Sequence, residues 1–193
     1  VNTYIVDPVN NTVLQVDSSG NIRKICTPET TTMNPATGTN TAFQPTGICL
    51  DPGDPNTATY RDPCLYVTDR GNNCVWMIPV PGGTVSSRSM MGGSLGITVN
   101  PVSVCFDTAT LGLYGVSQYN ASISGSEDAV WRIPHSVAGV EFISPTLQGP
   151  VLSGPSGINV DGTYLYIADT GNHCIRRVAK NLTTPATSDI TVI

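Results

Sequence analysis

Leu65-Tyr66-Val67-Thr68-Asp69-Arg70-Gly71-Asn72-Asn73-Cys74-Val75 and Leu165-Tyr166-Ile167-Ala168-Asp169-Thr170-Gly171-Asn172-His173-Cys174-Ile175 are two copies of one phrase. In each, a short β-branched and aromatic run stops at Asp, passes through a Gly-Asn turn and resumes as a second apolar run. That is the pattern of two strands joined tightly. Asp69 and Asp169 can accept hydrogen bonds from turn N–H groups, and Asn72 and Asn172 can bridge neighbouring backbone. Gly71 and Gly171 are expected to tolerate left-handed geometry. This chemistry reads as turn construction before it reads as a calcium or catalytic site.

Working outward, each copy has the same lead-in. Pro45-Thr46-Gly47-Ile48-Cys49-Leu50-Asp51 corresponds to Pro155-Ser156-Gly157-Ile158-Asn159-Val160-Asp161. A degenerate third copy runs from Pro101-Val102-Ser103-Val104-Cys105-Phe106-Asp107 into Leu113-Tyr114-Gly115-Val116-Ser117. It carries an inserted loop, Gln118 to Asp128, and resumes at Val130-Trp131-Arg132-Ile133-Pro134, an echo of Val75-Trp76-Met77-Ile78-Pro79. A fourth, partial copy opens the chain with Tyr4-Ile5-Val6-Asp7 and Asn10-Asn11-Thr12-Val13-Leu14-Gln15-Val16. Its next turn, Ser18-Ser19-Gly20, predicts a hairpin in which Gly20 takes positive φ. The period of roughly 50–55 residues is within reach of a four-stranded propeller blade. No segment sustains helical periodicity, so the fold class is all-β.

These residues resemble the NHL repeat family, whose pattern runs from P-x-G-I through a strand ending in Asp to Y-V-A-D-T-G-N-H. Leu165–Ile175 matches throughout, including Asn172-His173, whereas the copy at Leu65 has Asn73 where His would stand. The resemblance implies a β-propeller and a structural part for His173. It divides residues 1–193 into a single propeller segment, with a partial blade at 1–28 and blades at about 44–92, 99–146 and 154–193. The first copy lacks its innermost strand, which leaves just under four four-stranded blades. NHL propellers commonly have six, so the chain is expected to be an open arc or part of a larger propeller. An open arc exposes strand edges and blade faces unless something covers them.

Composition narrows the function. Charged residues are 12% of the 193 and the formal net charge is −5, about half the usual charged share. An acidic surface repels phosphate, so nucleic acid is not an expected partner, and Arg176, Arg177, Lys180 and Arg70 make only a small cluster. No apolar run is long enough to span a bilayer. Propeller lyases with metal sites gather several histidines, whereas this chain has two, His135 and His173. Gly92-Gly93-Ser94-Leu95-Gly96 formally matches a nucleophile elbow, but that elbow needs an α/β sheet. We therefore expect no catalytic residues, no metal and no cofactor.

Six cysteines without a C-x-x-C pair fit an oxidising compartment. Equivalent positions in separate blades lie too far apart to bridge, so the expected disulfides join inequivalent ones, Cys49 with Cys64 or Cys26 with Cys74. N-glycosylation sequons begin at Asn10, Asn120 and Asn181, each in an expected loop. The expectation is thus a secreted or cell-surface interaction or assembly module, with protein partners: copies of itself or the rest of a longer chain.

Overall fold

The computed structural model describes residues 2–26, 43–53, 62–80, 89–91, 100–119, 128–133, 141–144, 152–180 and 191–193. Among these, every element is a strand except one turn of 3-10 helix, Thr170–Asn172. Contacts divide the chain into two compact units, Val1–Gly96 and Ile97–Ile193.

The first unit holds a three-stranded sheet of β1 (Thr3–Asp7), β2 (Thr12–Val16) and β3 (Ile22–Cys26). Beside it stands a four-stranded sheet of β4 (Pro45–Asp51), β5 (Cys64–Asp69), β6 (Cys74–Pro79) and β7 (Ser89–Met91). In the second unit, β8 (Pro101–Asp107), β9 (Gly112–Ser117), β10 (Ala129–Ile133) and β11 (Glu141–Ser144) form one four-stranded sheet. The other comprises β12 (Pro155–Val160), β13 (Tyr164–Asp169), β14 (Cys174–Ala179) and β15 (Thr191–Val192). Each sheet is an antiparallel meander in chain order.

The lead-in motif has a mechanical explanation. Proline lacks the N–H a ladder needs, and β4, β8 and β12 each begin with one. In all three the register shifts just after it, at Pro45/Gly47, Pro101/Ser103 and Pro155/Gly157. One residue bulges out, and pairing resumes in step.

Sheets pack by a fixed rule. In the second unit the face bearing Tyr114, Val116, Val130 and Cys105 meets the next sheet's Ile158, Leu165, Ile167 and Val178. In the first unit Tyr4 and Val13 meet Leu65, Val67, Trp76 and Ile78 in the same way. A tyrosine face of one sheet covers the leucine face of the next. Alternation along each strand permits this, since residues two apart share a face. Every residue of β5 and of β9 is buried.

The turns differ from expectation in one respect. Gly20 has φ +84°, as the hairpin requires. Gly71 and Gly171, however, are not the left-handed residues; Asn73 (φ 52°) and His173 (φ 53°) are. Gly171 is small for another reason. A Cβ there would lie 2.6 Å from the Ser153 carbonyl oxygen, to which the Gly171 N–H donates at 2.7 Å. The glycine allows close approach of backbone rather than an unusual φ.

Among the described residues, Cys49, Cys64, Cys74, Cys105 and Cys174 are not joined in disulfides. The expected bridges are therefore not formed: Cys49 stands opposite Tyr66 and Cys64 opposite Asp51, which offsets the two diagonally on one face. Cys26 lies on β3, and its side chain is outside the described residues, as are Asn120, Asn181, His135 and Gly92 to Gly96.

Candidate functional site

The aspartates that close strand pairs organise one end of each sheet. The Asp69 carboxylate accepts the Asn72 N–H at 3.2 Å and its side-chain amide at 2.6 Å. It also accepts the Trp76 indole at 2.8 Å and the Gln44 N–H at 3.0 Å. Gln44 immediately precedes β4, so this one buried carboxylate ties the turn, the third strand and the lead-in of the first. Asp169 repeats the scheme with Asn172 (2.8 Å), the Ser153 N–H (2.7 Å) and a buried ion pair to Arg176. Burial pushes its pKa upward, but these partners outweigh that and hold it below 3.8. Both carboxylates are fully buried.

The third copy lacks this aspartate. Ser117 stands opposite Pro101 as Asp69 stands opposite Pro45, and among the described residues neither its hydroxyl nor the Trp131 indole N–H, both buried, has a hydrogen-bond partner. Trp131 also dictates Gly115, where a Cβ would meet the indole ring at 2.0 Å. A different carboxylate closes the neck of the inserted loop. Asp128 accepts the Tyr119 N–H at 2.7 Å and the Gly154 N–H at 2.9 Å. Sequence reading missed Asp128, because a residue acting across an insertion leaves no local spacing to recognise.

The first copy shows an incomplete version. Asp7 accepts the Val9 and Asn10 N–H groups at 3.1 and 3.0 Å and the Asn10 amide at 2.7 Å. Hydrogen bonds from Asn10 hold its carboxyl below 3.8. No lead-in N–H reaches it among the described residues, and it is half-exposed where Asp69 and Asp169 are buried. The D-x-x-N spacing of Asp7 and Asn10 would have revealed this equivalence. The reason lies in β1. In the second unit β12 packs on both β8 and β9; in the first, β4 packs on β1. Thus β1 is the counterpart of β9, and nothing described stands in the place of β8. The inner edge of β1 is unpaired among the described residues.

The opposite end of the second unit is held by Lys180, whose ammonium donates to Asp107 at 2.8 Å and to the Asp161 carbonyl at 3.2 Å. Burial raises the Asp107 pKa, but the bonds from Lys180, Thr110 and Ala109 prevail and depress it. A depressed carboxylate stabilises above its unfolded pKa, and that contribution is lost as pH falls through the folded value, here below 3.8. Lys180→Met should therefore move acid unfolding of this unit to higher pH and cost about 2 kcal/mol at neutrality. Circular dichroism across an acid titration reads both.

A shallow crevice lies between Tyr4, Arg23, Leu65 and Ile78. Among the described residues no three His, Cys, Asp or Glu side chains form a metal-holding group. No described helix is long and apolar enough to cross a membrane.

Sequential antiparallel meanders packed face to face, with proline-led first strands, define the blades of a β-propeller. Solved structures agree. The chain aligns over its full length with 51% of a virginiamycin B lyase from Staphylococcus aureus, at 17% identity and TM-score 0.60. It covers 95% of itself and 57% of a chain in a nidogen/laminin complex, at 16% identity and TM-score 0.62. For a putative gluconolactonase the values are 98%, 61%, 13% and 0.63. The chain thus spans between half and two thirds of these similar structures. No protein-family model matches it, and no curated protein does. The expectation that the chain is not an enzyme is corrected by these neighbours. A lyase and a putative gluconolactonase use this fold, so the fold does not separate enzymes from binding modules, and enzyme status is open.

Proposed function

We propose that the chain is an NHL-type propeller module that binds protein, and that it takes up a strand at the inner edge of β1. The observation that carries this is the missing counterpart of β8. An unpaired edge presents alternating N–H and C=O groups to an incoming strand. Beside it, Asp7 offers the acceptor that Asp69 gives to Gln44 and Asp169 gives to Ser153. The occupant is an inner-type strand, proline-led and bulged, supplied by a partner protein or by more of the same propeller. A propeller of similar fold belongs to a nidogen/laminin complex, which is consistent with a binding role.

The module acts outside the cell on this reading. Its support is the six cysteines and the exposed sequon residue Asn10. Cys49 and Cys64 share a face of adjacent strands, so oxidation would staple β4 to β5 there.

A labelled peptide with the sequence of residues 43–53, serine replacing Cys49, tests the slot. Fluorescence anisotropy should show saturable binding to the full chain. Asp7→Ala should weaken it about ten-fold, the worth of one charge-assisted hydrogen bond at ~1.4 kcal/mol. Absence of binding, or equal binding by the variant, contradicts the proposal.

A further inference from the structure

The third sheet departs from the other four-stranded sheets at three places on one face of β9 and β10. The first is Ser117, opposite Pro101, where the second sheet has Asp69 opposite Pro45 and the fourth has Asp169 opposite Pro155. The second is Gly115, paired with Val104 and Trp131. Its equivalents are Val67, paired with Ile48 and Trp76, and Ile167, paired with Ile158 and Arg176. The third is the Trp131 indole. Its counterparts Trp76 and Arg176 each donate to the aspartate of their own sheet, Trp76 at 2.8 Å. Trp131 Nε1 and Ser117 Oγ have no such partner among the described residues, although each residue is only 1% exposed. The lead-in keeps its course all the same: the Gln118 N–H donates to the Asn100 carbonyl at 3.0 Å, as the Arg70 N–H does to Gln44 at 2.9 Å.

We infer that Ser117 and Trp131 form a site for a monovalent anion of single-atom size, a halide, standing where the other two sheets place a carboxylate oxygen. Reach and donor count both point to it. Ser117 and Trp131 are diagonal neighbours on one face, in the register of Asp69 and Trp76. A serine side chain is two heavy atoms smaller than that of aspartate, so its hydroxyl stops short of the indole. The ring, for its part, is seated against the bare backbone of Gly115, where a Cβ would meet it at 2.0 Å. A buried donor held in this way without an acceptor is rare in native proteins and calls for a ligand. The indole can only donate, and the hydroxyl can donate too. A water would have two hydrogens to place and, of these two groups, only the Ser117 oxygen to receive one. A halide asks for donors alone. It also returns to the third sheet the negative charge that Asp69 and Asp169 bring to theirs. Every group that forms the site belongs to the third sheet, so it is independent of the strand-uptake reading above.

Bromide provides the test, because a bound heavy halide quenches the indole it touches. In a Trp76→Phe background Trp131 is the one tryptophan left. Its emission should fall with bromide along a saturating curve, and chloride should restore it by competition. Gluconate at equal ionic strength should do neither, which separates occupation of a site from screening. Ser117→Ala removes one donor and should weaken bromide about ten-fold, as loss of one charge-assisted hydrogen bond does. Ser117→Asp brings a carboxylate back within reach of the indole and should abolish the saturable response, with circular dichroism checking that both variants keep their strands. In a Trp131→Phe background, Trp76 is already bonded to Asp69 and should show no saturable response. Emission that bromide leaves unchanged, a loss that chloride does not reverse, or the same midpoint in Ser117→Ala as in its parent would each overturn the inference.

Discussion

Asp169→Ala should destabilise the second unit by about 3–5 kcal/mol, the cost of leaving a buried charge without its counter-ion. Arg176 is 2% exposed, and its Nη1 has no hydrogen-bond partner among the described residues. Removing the carboxylate also orphans the Ser153 N–H and the Asn172 amide that it accepts. The chain has two tryptophans, Trp76 in the first unit and Trp131 in the second. Urea unfolding of a Trp76→Phe background, followed by Trp131 fluorescence, therefore reports the affected unit. Asp169→Ala combined with Arg176→Leu should recover most of the loss, because an apolar pair of similar size avoids the desolvation cost. A loss below about 1 kcal/mol would show that the ion pair is not the organising contact of the turn.

The second large effect is expected at the corresponding place in the first unit. Asp69→Ser gives the second sheet the residue that the third already has at Ser117. It removes at once the acceptor of the Trp76 indole, the Asn72 amide and the Gln44 N–H. Buried groups left unpaired cost about 1–3 kcal/mol each, and partial access of water to the lead-in brings the expected sum to about 3–4 kcal/mol. Trp76 fluorescence on a Trp131→Phe background measures it, and the emission maximum should move as the indole loses its carboxylate. The reverse change, Ser117→Asp, supplies the Trp131 indole with an acceptor in the third sheet. It should gain little, because Asp128 already holds the neck there and a second buried carboxylate must be desolvated. Equal stability of Asp69→Ser and wild type would refute the turn's energetic role.

Both substitutions fall on residues whose importance was legible before any coordinates. The repeated D-x-G-N phrase marked Asp69, Asn72, Asp169 and Asn172, because a turn needs local acceptors at fixed spacing and fixed spacing survives in sequence. The strand count was legible for the same reason: each strand is a short apolar run between turn residues, and the first copy visibly lacked one. The glycines were misread, since a G-N step suggests positive φ when the constraint at Gly171 is the approach of Ser153 from the lead-in to β12. That contact is not local, and no spacing encodes it. Asp128 and the orphaned Trp131 indole were hidden likewise, one by an insertion and the other by the absence of a residue elsewhere. The disulfide expectation had only relative position to work from, and the ladder sets Cys49 and Cys64 one step off a direct pair. Which faces lie open could not be read at all. Ile5 and Ile175 look like core residues in the sequence, and only the packing of sheets shows that nothing described covers them.

The open inner edge of β1 is the feature on which the functional account depends, and amide hydrogen exchange measures it directly. In the free chain, the β1 amides that point away from β2 should exchange with little protection, while those of β5, β9 and β13 exchange far more slowly. Adding the residue 43–53 peptide should protect β1 and leave the other strands as they were. Strong protection of every β1 amide in the free chain would mean that the edge is already occupied, and would contradict the account.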